Sequence, residues 1–467
     1  MQHLQTFWYL SEWAIRIGAL LVVPLHRMPA ATRAWLLLIF FLPLPGLVLF
    51  LLIGSPRFPA WRQARFRALR PFFEATAAAL HAPPPAVAEQ AQAARLAQTL
   101  GGFPATAGNR AEFLDSYEGV VDRLVEDIDR AERHVLLLVY IFADDAVGHR
   151  VAAALGRAVG RGVRAQVMFD PVGSHRWRAG TLRLLRAQGV QVREAMPWRL
   201  VRNRLRRDMR NHRKLFAIDG RIGYAGSQNI VAKNFRPGVV NHELVVRVTG
   251  PVVAAIEAVV RADWSLESGE PPGAAPQPAA PVAGGSALAQ LLPSGADYPM
   301  EGFESLLVWQ IHRACERVLI VTPYFIPDED LLGALRTAAA RGVAVDIVLS
   351  GVVDQQLVHL SQCSYYDDLL TAGVRIHLYR HYLLHAKNVS VDGRLAIAGS
   401  SNVDLRSFQL NLEASLLLHD AASVAQLEGI QRGYIAAADP VDPVAWRRRP
   451  MLRRLAENAA RLFNSLL

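Results

Sequence analysis

The 467-residue chain reads as an α/β protein of two similar halves, carried behind a two-helix membrane anchor at its N-terminus. Three features lead to that reading. A helix–strand–helix–strand pattern occurs twice, each occurrence ends in the same ordered set of polar residues, and the chain opens on long apolar stretches. The length suits two domains of ordinary size, each with its own core.

The anchor comes first in the chain. Residues 34–53, AWLLLIFFLPLPGLVLFLLI, carry no charge and as a helix would cover roughly 30 Å, the thickness of a bilayer's hydrocarbon core. Pro43 and Pro45 would kink it, which membrane helices tolerate. An earlier stretch, about residues 5–25, is the weaker span: it holds Glu12 and Arg16, four apart and able to pair. The opening MQHLQTFWYLSEW lacks the basic start and small-residue cleavage site of a secretory signal. Arg57, Arg62, Arg65, Arg67 and Arg70 follow the second span, whereas only Arg27 and Arg33 lie between the two. By the positive-inside rule the expected arrangement is multi-pass in the plasma membrane, with both termini and the body in the cytoplasm.

Past the anchor (residues 1–56) the chain divides by composition. Residues 57–110 read as a helical connector. Residues 111–264 form the first half: VVDRLVEDIDRAERHVLLLVYIF and VGHRVAAALGRAVGRGVRAQVMFD each read as a helix followed by an apolar run of strand length. Residues 265–286, rich in Pro, Gly and Ala, read as a flexible linker. Residues 287–440 repeat the pattern in FESLLVWQIHRACERVLIVTPYF and LLGALRTAAARGVAVDIVLS, which implies parallel strands joined by crossover helices. Residues 441–467 read as a basic amphipathic helix with Leu452, Leu455, Ala459, Leu462, Phe463 and Leu466 on one stripe, either lying in a membrane interface or docked on the body.

The net charge of +10 suits an anionic partner. The anchor favours an acidic membrane over nucleic acid, and no nucleic-acid partner is expected. Cys315 and Cys363 stand far apart, so neither a disulfide framework nor a Cys-based zinc site is indicated. No Gly-rich nucleotide loop and no clustered metal ligands occur, so neither a cofactor nor a metal is expected.

The repeated polar set is NHRKLFAIDGRIGYAGSQNI at 211–230 and LHAKNVSVDGRLAIAGSSNV at 384–403. Each reads as a β-hairpin, with Asp219-Gly220 and Asp392-Gly393 at the turns. On a strand, His212 and Lys214 would share a face, as would His385 and Lys387. An imidazole can attack phosphorus or carry a proton to a leaving oxygen at neutral pH. A neighbouring ammonium stabilises the charge that builds on the phosphoryl oxygens. Ser227, Asn229, Ser400 and Asn402 would add hydrogen-bond donors to the same oxygens. A lone His-x-Lys is common on exposed strands, and the aspartates are what such turns use anyway. Retention of both His-Lys pairs is what a purely structural duplication leaves unexplained. Two copies face to face make one metal-free phosphodiester site.

HRKLFAID and HAKNVSVD fit the HxKxxxxD signature of the phospholipase D superfamily, with GSQN and GSSN trailing them. The likeness extends over nearly the whole chain to the bacterial cardiolipin synthases of that superfamily, in the apolar N-terminus, the NHRK form of the first motif and the run VDGRLAIAGSSNVDLRSFQLNLEASL after the second. The resemblance implies a phospholipase D-like duplicated sandwich, with His212, Lys214, Asp219, His385, Lys387 and Asp392 in the active site. It implies Asn229 and Asn402 near the phosphate. Glu243 in NHELVV and Glu413 in NLEASL match acidic residues that orient a histidine in the family, although their spacings from the histidines differ. The implied substrate is phosphatidylglycerol, joined to a second copy of itself, with His212 as the nucleophile and His385 as the acid, or the reverse. A phospholipase, a nuclease and a non-catalytic lipid-binding scaffold are the alternatives. The arginine-rich run at 198–214 leads directly into the first motif and would draw an acidic headgroup.

Overall fold

Apolar runs of strand length, bounded by Gly and polar residues, build the centre of the body. The computed structural model describes residues 2–26, 29–80, 88–197, 208–298 and 300–462. His134–Val139, Arg164–Phe169 and Gln191–Glu194 lie parallel, and the motif hairpin Leu215–Ile218 and Ile222–Gly226 adds antiparallel beside them, followed by Val245–Thr249 and Thr106–Leu114. The second half repeats this order. Arg317–Val321, Ala344–Ser350 and Arg375–Tyr379 are parallel, then come the hairpin Asn388–Val391 and Leu395–Gly399, Glu413–Leu418 and Ala287–Ser294. Thr106–Leu114 pairs with Ala287–Ser294, so both halves share one 15-stranded sheet.

Alternation along the strands divides the core by face. Leu136, Leu138, Leu319 and Val321 point into one continuous core beneath the helices Val253–Ser268 and Ala421–Ala436, which serves both halves. On the other face Leu137 joins the first half's own core and Ile320 the second's. The halves are therefore fused along one face and separate along the other.

Both motif hairpins turn through residues with positive φ: 54° and 67° at Asp219 and Gly220, 51° and 64° at Asp392 and Gly393. Tight hairpin turns need this geometry, and Asp tolerates it better than most side chains. Each aspartate then fastens its turn to the start of the neighbouring strand. The Asp219 carboxylate accepts the backbone N–H groups of Glu132, Arg133 and His134, all at 2.8 Å. Asp392 takes those of Cys315, Glu316 and Arg317, also at 2.8 Å.

The N-terminal region differs from expectation in which stretch is continuous. Gln2–His26 is one helix, and among the described residues its His3–His26 portion is the one long and apolar enough to cross a membrane. Residues 34–53 do not form a single span; they are divided between helices Pro29–Phe41 and Pro43–Ile53. Pro43 has no N–H to continue the ladder and disfavours helical geometry in the residue before it, and Leu42 accordingly sits at φ −129° and ψ 75°. The chain doubles back so sharply that a Cβ on Gly46 would lie 2.9 Å from the Ile39 Cα. Beside the break, Arg16 Nε donates to the Phe40 carbonyl at 3.1 Å, and Arg16 also pairs with Glu12 at 3.1 Å. Trp35, Ile39, Ala19 and Val23 pack these helices together while Phe7, Leu21, Phe41 and Leu51 face outward.

Three further expectations are corrected. Arg62, one of the arginines used to orient the anchor, is buried in the body and pairs with Glu267 at 2.8 Å and Asp297 at 3.4 Å, out of reach of headgroups. The segment expected as a free linker is tied down: residues 265–268 continue the helix Val253–Ser268, Arg261 holds the Pro272 carbonyl at 3.0 Å, and Val282 N–H reaches the Gly108 carbonyl at 2.8 Å. The C-terminal region is two helices, Pro443–Arg447 and Met451–Arg461, rather than one, because Pro450 interrupts them.

Burial alone would raise the Asp219 carboxyl, but the amides of Glu132, His134 and Arg133 outweigh it and hold its pKa below the usual aspartate value. Its contribution to stability is thus present at neutral pH and is lost as pH falls through that lowered value. Asp219→Ala is expected to cost about 1–3 kcal/mol in unfolding free energy, because three amides lose their acceptor. Thermal melts should fall accordingly, while the folded fraction retains its specific activity.

Candidate active site

The sheet brings the ends of the two motif hairpins opposite to their Asp-Gly turns to one place. His212 and Lys214 lie just ahead of the strand Leu215–Ile218, not on it, and His385 and Lys387 just ahead of Asn388–Val391. What holds these lead-in segments extended is the other half. Asn211 bridges in parallel to Leu412, and His212 N–H donates to the Leu412 carbonyl at 2.9 Å. Leu383–Leu384 pairs in parallel with Asn241–His242, and His385 N–H reaches the His242 carbonyl at 2.7 Å.

This pairing carries each glutamate to the opposite histidine. Glu413 accepts from His212 Nδ1 at 2.9 Å, and Glu243 accepts from His385 Nδ1 at 2.8 Å. Both histidines line one cavity of about 410 Å³ that neither half closes alone. With Nδ1 donating to a carboxylate, Nε2 is the nitrogen left available to the cavity.

The lysines are deeper. Lys214 and Lys387 are buried, and each Nζ donates to the carbonyl of its own histidine, at 2.7 Å and 2.5 Å. Burial lowers the Lys214 ammonium to about 7 and that of Lys387 to about 8, against the pull of Glu413 and Glu243. Burial likewise lowers both imidazoles, His385 to about 4, despite its carboxylate. Both glutamates are held below the usual range, because the imidazole and lysine charges outweigh their burial. Burial therefore favours neutral imidazoles beside carboxylates, a state suited to nucleophilic attack.

Other residues expected at the site are sorted by the geometry. Asn229 and Asn402 line the cavity, and Asn229 Oδ1 is fixed by the Ile141 N–H at 3.0 Å. Ser227 and Ser400 do not line it. Ser400 Oγ donates to Glu413, and Ser227 Oγ bonds both ways with the Leu244 backbone, donating at 3.1 Å and accepting at 3.0 Å. Asp219 and Asp392 sit at the far ends of their strands, occupied by backbone amides. Of the basic run, Arg210 reaches the cavity wall, whereas residues 198–207 lie outside the described residues. Among the described residues one group of carboxylates, Glu304, Asp328 and Asp330, could hold a cation, and none of the three lines the cavity.

Several wall residues escaped the sequence reading although the duplication marks them. Tyr140 and Tyr324 follow equivalent strands in VYIF and PYFI, and Asn241 and Asn411 stand two residues before each glutamate. The Tyr140 ring meets His212 edge-on at 4.8 Å and lies 5.4 Å from Lys214 Nζ. Asn241, Asn402 and Asn411 each present a buried Oδ1 with no protein partner, which suits a polar headgroup. Arg213, between the histidine and the lysine, points the other way: it is buried against Asp263 at 2.8 Å and holds the Glu413 carbonyl at 3.0 Å, locking the motif backbone.

The lysines set an expectation for pH. Each is charged below its lowered pKa and neutral above it, so attraction for a phosphate is lost as pH rises through about 7 to 8. kcat/KM, which reports the free enzyme, should fall over that window. A profile flat to ~pH 9 would contradict the buried, depressed lysines.

The family described as cardiolipin synthase, PLD-like domain, matches residues 124–264 and 307–432, the bulk of both halves. The chain is 33% identical to cardiolipin synthase A of Cronobacter sakazakii, over 99% of this chain and all of that one. It is 33% identical to cardiolipin synthase A of Escherichia coli K12, over 98% of this chain and 97% of that one. Among solved structures, a phosphatidylserine synthase of Haemophilus influenzae aligns over 80% of this chain and 99% of its own, at TM-score 0.57 and 15% identity. A polyphosphate kinase of Porphyromonas gingivalis aligns over 81% of this chain and 57% of its own, at TM-score 0.51 and 15% identity. These two establish a shared fold alone. Matched in both halves and along nearly its whole length, the chain belongs to the cardiolipin synthase family of phospholipase D-like proteins.

Proposed function

We propose that the protein is a membrane-bound phosphatidyltransferase that moves the phosphatidyl group of one phosphatidylglycerol onto the free hydroxyl of a second, releasing glycerol and forming cardiolipin. The observation that carries this reading is the pair of imidazoles in one cavity, each tied through Nδ1 to a buried carboxylate. Family membership supports the substrate. Nε2 of one histidine attacks phosphorus as the bond to the glycerol oxygen breaks, and the other histidine, protonated, gives that oxygen its proton. The now neutral imidazole takes the proton from the hydroxyl of a second lipid. That oxygen attacks phosphorus and frees the first histidine. A phosphodiester anion between the imidazoles and lysines favours the charged forms that burial disfavours.

The resemblance gives His212 as the nucleophile and His385 as the acid, or the reverse. Burial lowers both imidazoles, so either can serve as the neutral nucleophile. We propose that the body lies on the cytoplasmic face. The exposed Arg67 and Arg70 just beyond the anchor support that side, and the His3–His26 helix is the proposed membrane span.

With phosphatidylglycerol in bilayers as the sole lipid, cardiolipin and glycerol should be the main products. Phosphatidic acid as the main product would replace the transferase with a hydrolase, and cleavage of plasmid DNA in place of lipid would make it a nuclease. His212→Ala and His385→Ala should each lower turnover by at least ~10³-fold, since each removes one half of the acid–base and nucleophile pair. Activity should persist in excess chelator; loss restored by one added divalent ion would contradict the metal-free route.

A further inference from the structure

The C-terminal helix Met451–Arg461 is docked the wrong way round for a helix whose partner is the body alone. Its inward side is polar. Glu457 is fully buried and accepts from Arg449 at 2.9 Å and Arg453 at 3.2 Å, Ala460 packs beside it, and the Arg461 guanidinium lies 4.4 Å above the Tyr365 ring. The apolar side faces outward. Leu452 is 81% exposed, Leu462 75%, Met451 74% and Leu455 54%. An amphipathic helix ordinarily buries its apolar stripe, and one that ties its polar side down through a buried carboxylate leaves the stripe for another apolar phase.

Two observations identify that phase. Arg447, Arg448 and Arg454 are exposed along the same segment, a charge pattern complementary to anionic headgroups. The helix also packs on Gln356–Cys363, where Leu357 is 45% exposed between Gln355 and Val358, two residues of the cavity wall. The helix that carries the apolar stripe thus packs on the element whose first turn lines the cavity.

We propose that Met451–Arg461 lies in the headgroup layer of an anionic bilayer, with Leu452, Leu455 and Leu462 among the acyl chains, and so holds the cavity mouth against the membrane for lipid to enter from it. Phe463 and Leu466 continue the stripe in the sequence. The inference rests on the proposed lipid substrate only for what enters the cavity; the surface stands on its own geometry.

The test uses the full-length protein in phosphatidylglycerol-containing vesicles. In a Cys315→Ser background, Leu455→Cys carries an environment-sensitive fluorophore, and Glu132→Cys, beside the Asp219 turn, serves as the control. The label at 455 should shift to the blue, be quenched by lipids bearing a nitroxide on the acyl chain and be shielded from aqueous iodide, whereas the label at 132 should show the opposite. A label at 455 that stays open to iodide overturns the proposal. So does a blue shift without quenching by nitroxide lipid, which would mean that a second copy of the chain covers the stripe. As a second measurement, Leu452→Glu with Leu455→Glu should slow turnover of vesicle-held phosphatidylglycerol ~10-fold and leave turnover of a monodisperse short-chain form within ~2-fold. Equal loss on both substrates overturns the membrane role. If the unsubstituted protein consumes neither lipid, the proposed reaction fails, while the labelling result still decides the surface.

Discussion

Everything distinctive about the site depends on one exchange: each histidine is held by the glutamate of the opposite half. His212 with Glu413 and His385 with Glu243 are buried, hydrogen-bonded pairs, and neither exists within a single half. Breaking such a hydrogen bond leaves a buried carboxylate without its imidazole donor, at a cost of about 1–3 kcal/mol. The exchange therefore locks the two halves together as well as fixing which imidazole nitrogen faces the cavity. The short parallel pairings at Asn211 and Leu412, and at Leu383–Leu384 and Asn241–His242, are its backbone counterpart.

Around this centre the structure spends its polar groups on rigidity. Arg213 and Asp263 brace the first motif from behind, Ser400 and Ser407 hold Glu413, and the motif aspartates pin the turns at the other ends of the strands. Burial of the lysines leaves them poised near neutrality, so an incoming phosphate anion itself supplies the charge that stabilises their ionised form. Arg62 bolts the connector to the body, and the anchor reaches the catalytic halves through an ordered joint.

Much of this was readable in the sequence because duplication makes function visible. The two halves, the Asp-Gly hairpins and the His-Lys pairs all repeat, and the fold follows from strand-length apolar runs. The crossing of the glutamates was not readable, since spacing along the chain gives no sign of which histidine a distant carboxylate will meet. Side-chain type does not reveal direction: the serines expected as phosphate donors bond elsewhere, Ser400 to Glu413 and Ser227 to the Leu244 backbone. The asparagines two residues before each glutamate repeat as plainly as the histidines, and only the cavity drew attention to them. At the N-terminus the kink expected at Pro43 is a break that divides the most apolar stretch into two helices, whereas Glu12 and Arg16 pair along the continuous helix Gln2–His26.

The most direct test of one site built across two halves is to trap the covalent intermediate and ask which glutamate it needs. Phosphatidylglycerol labelled at phosphorus is mixed rapidly with the enzyme, quenched in base and mapped by peptide, in the unsubstituted protein and in Glu413→Gln and Glu243→Gln. The account predicts label on a single histidine. If that is His212, label should be lost in Glu413→Gln and build up in Glu243→Gln; if it is His385, the two glutamates exchange roles. Label on neither histidine, or label whose amount does not change with the glutamate of the opposite half, would contradict it.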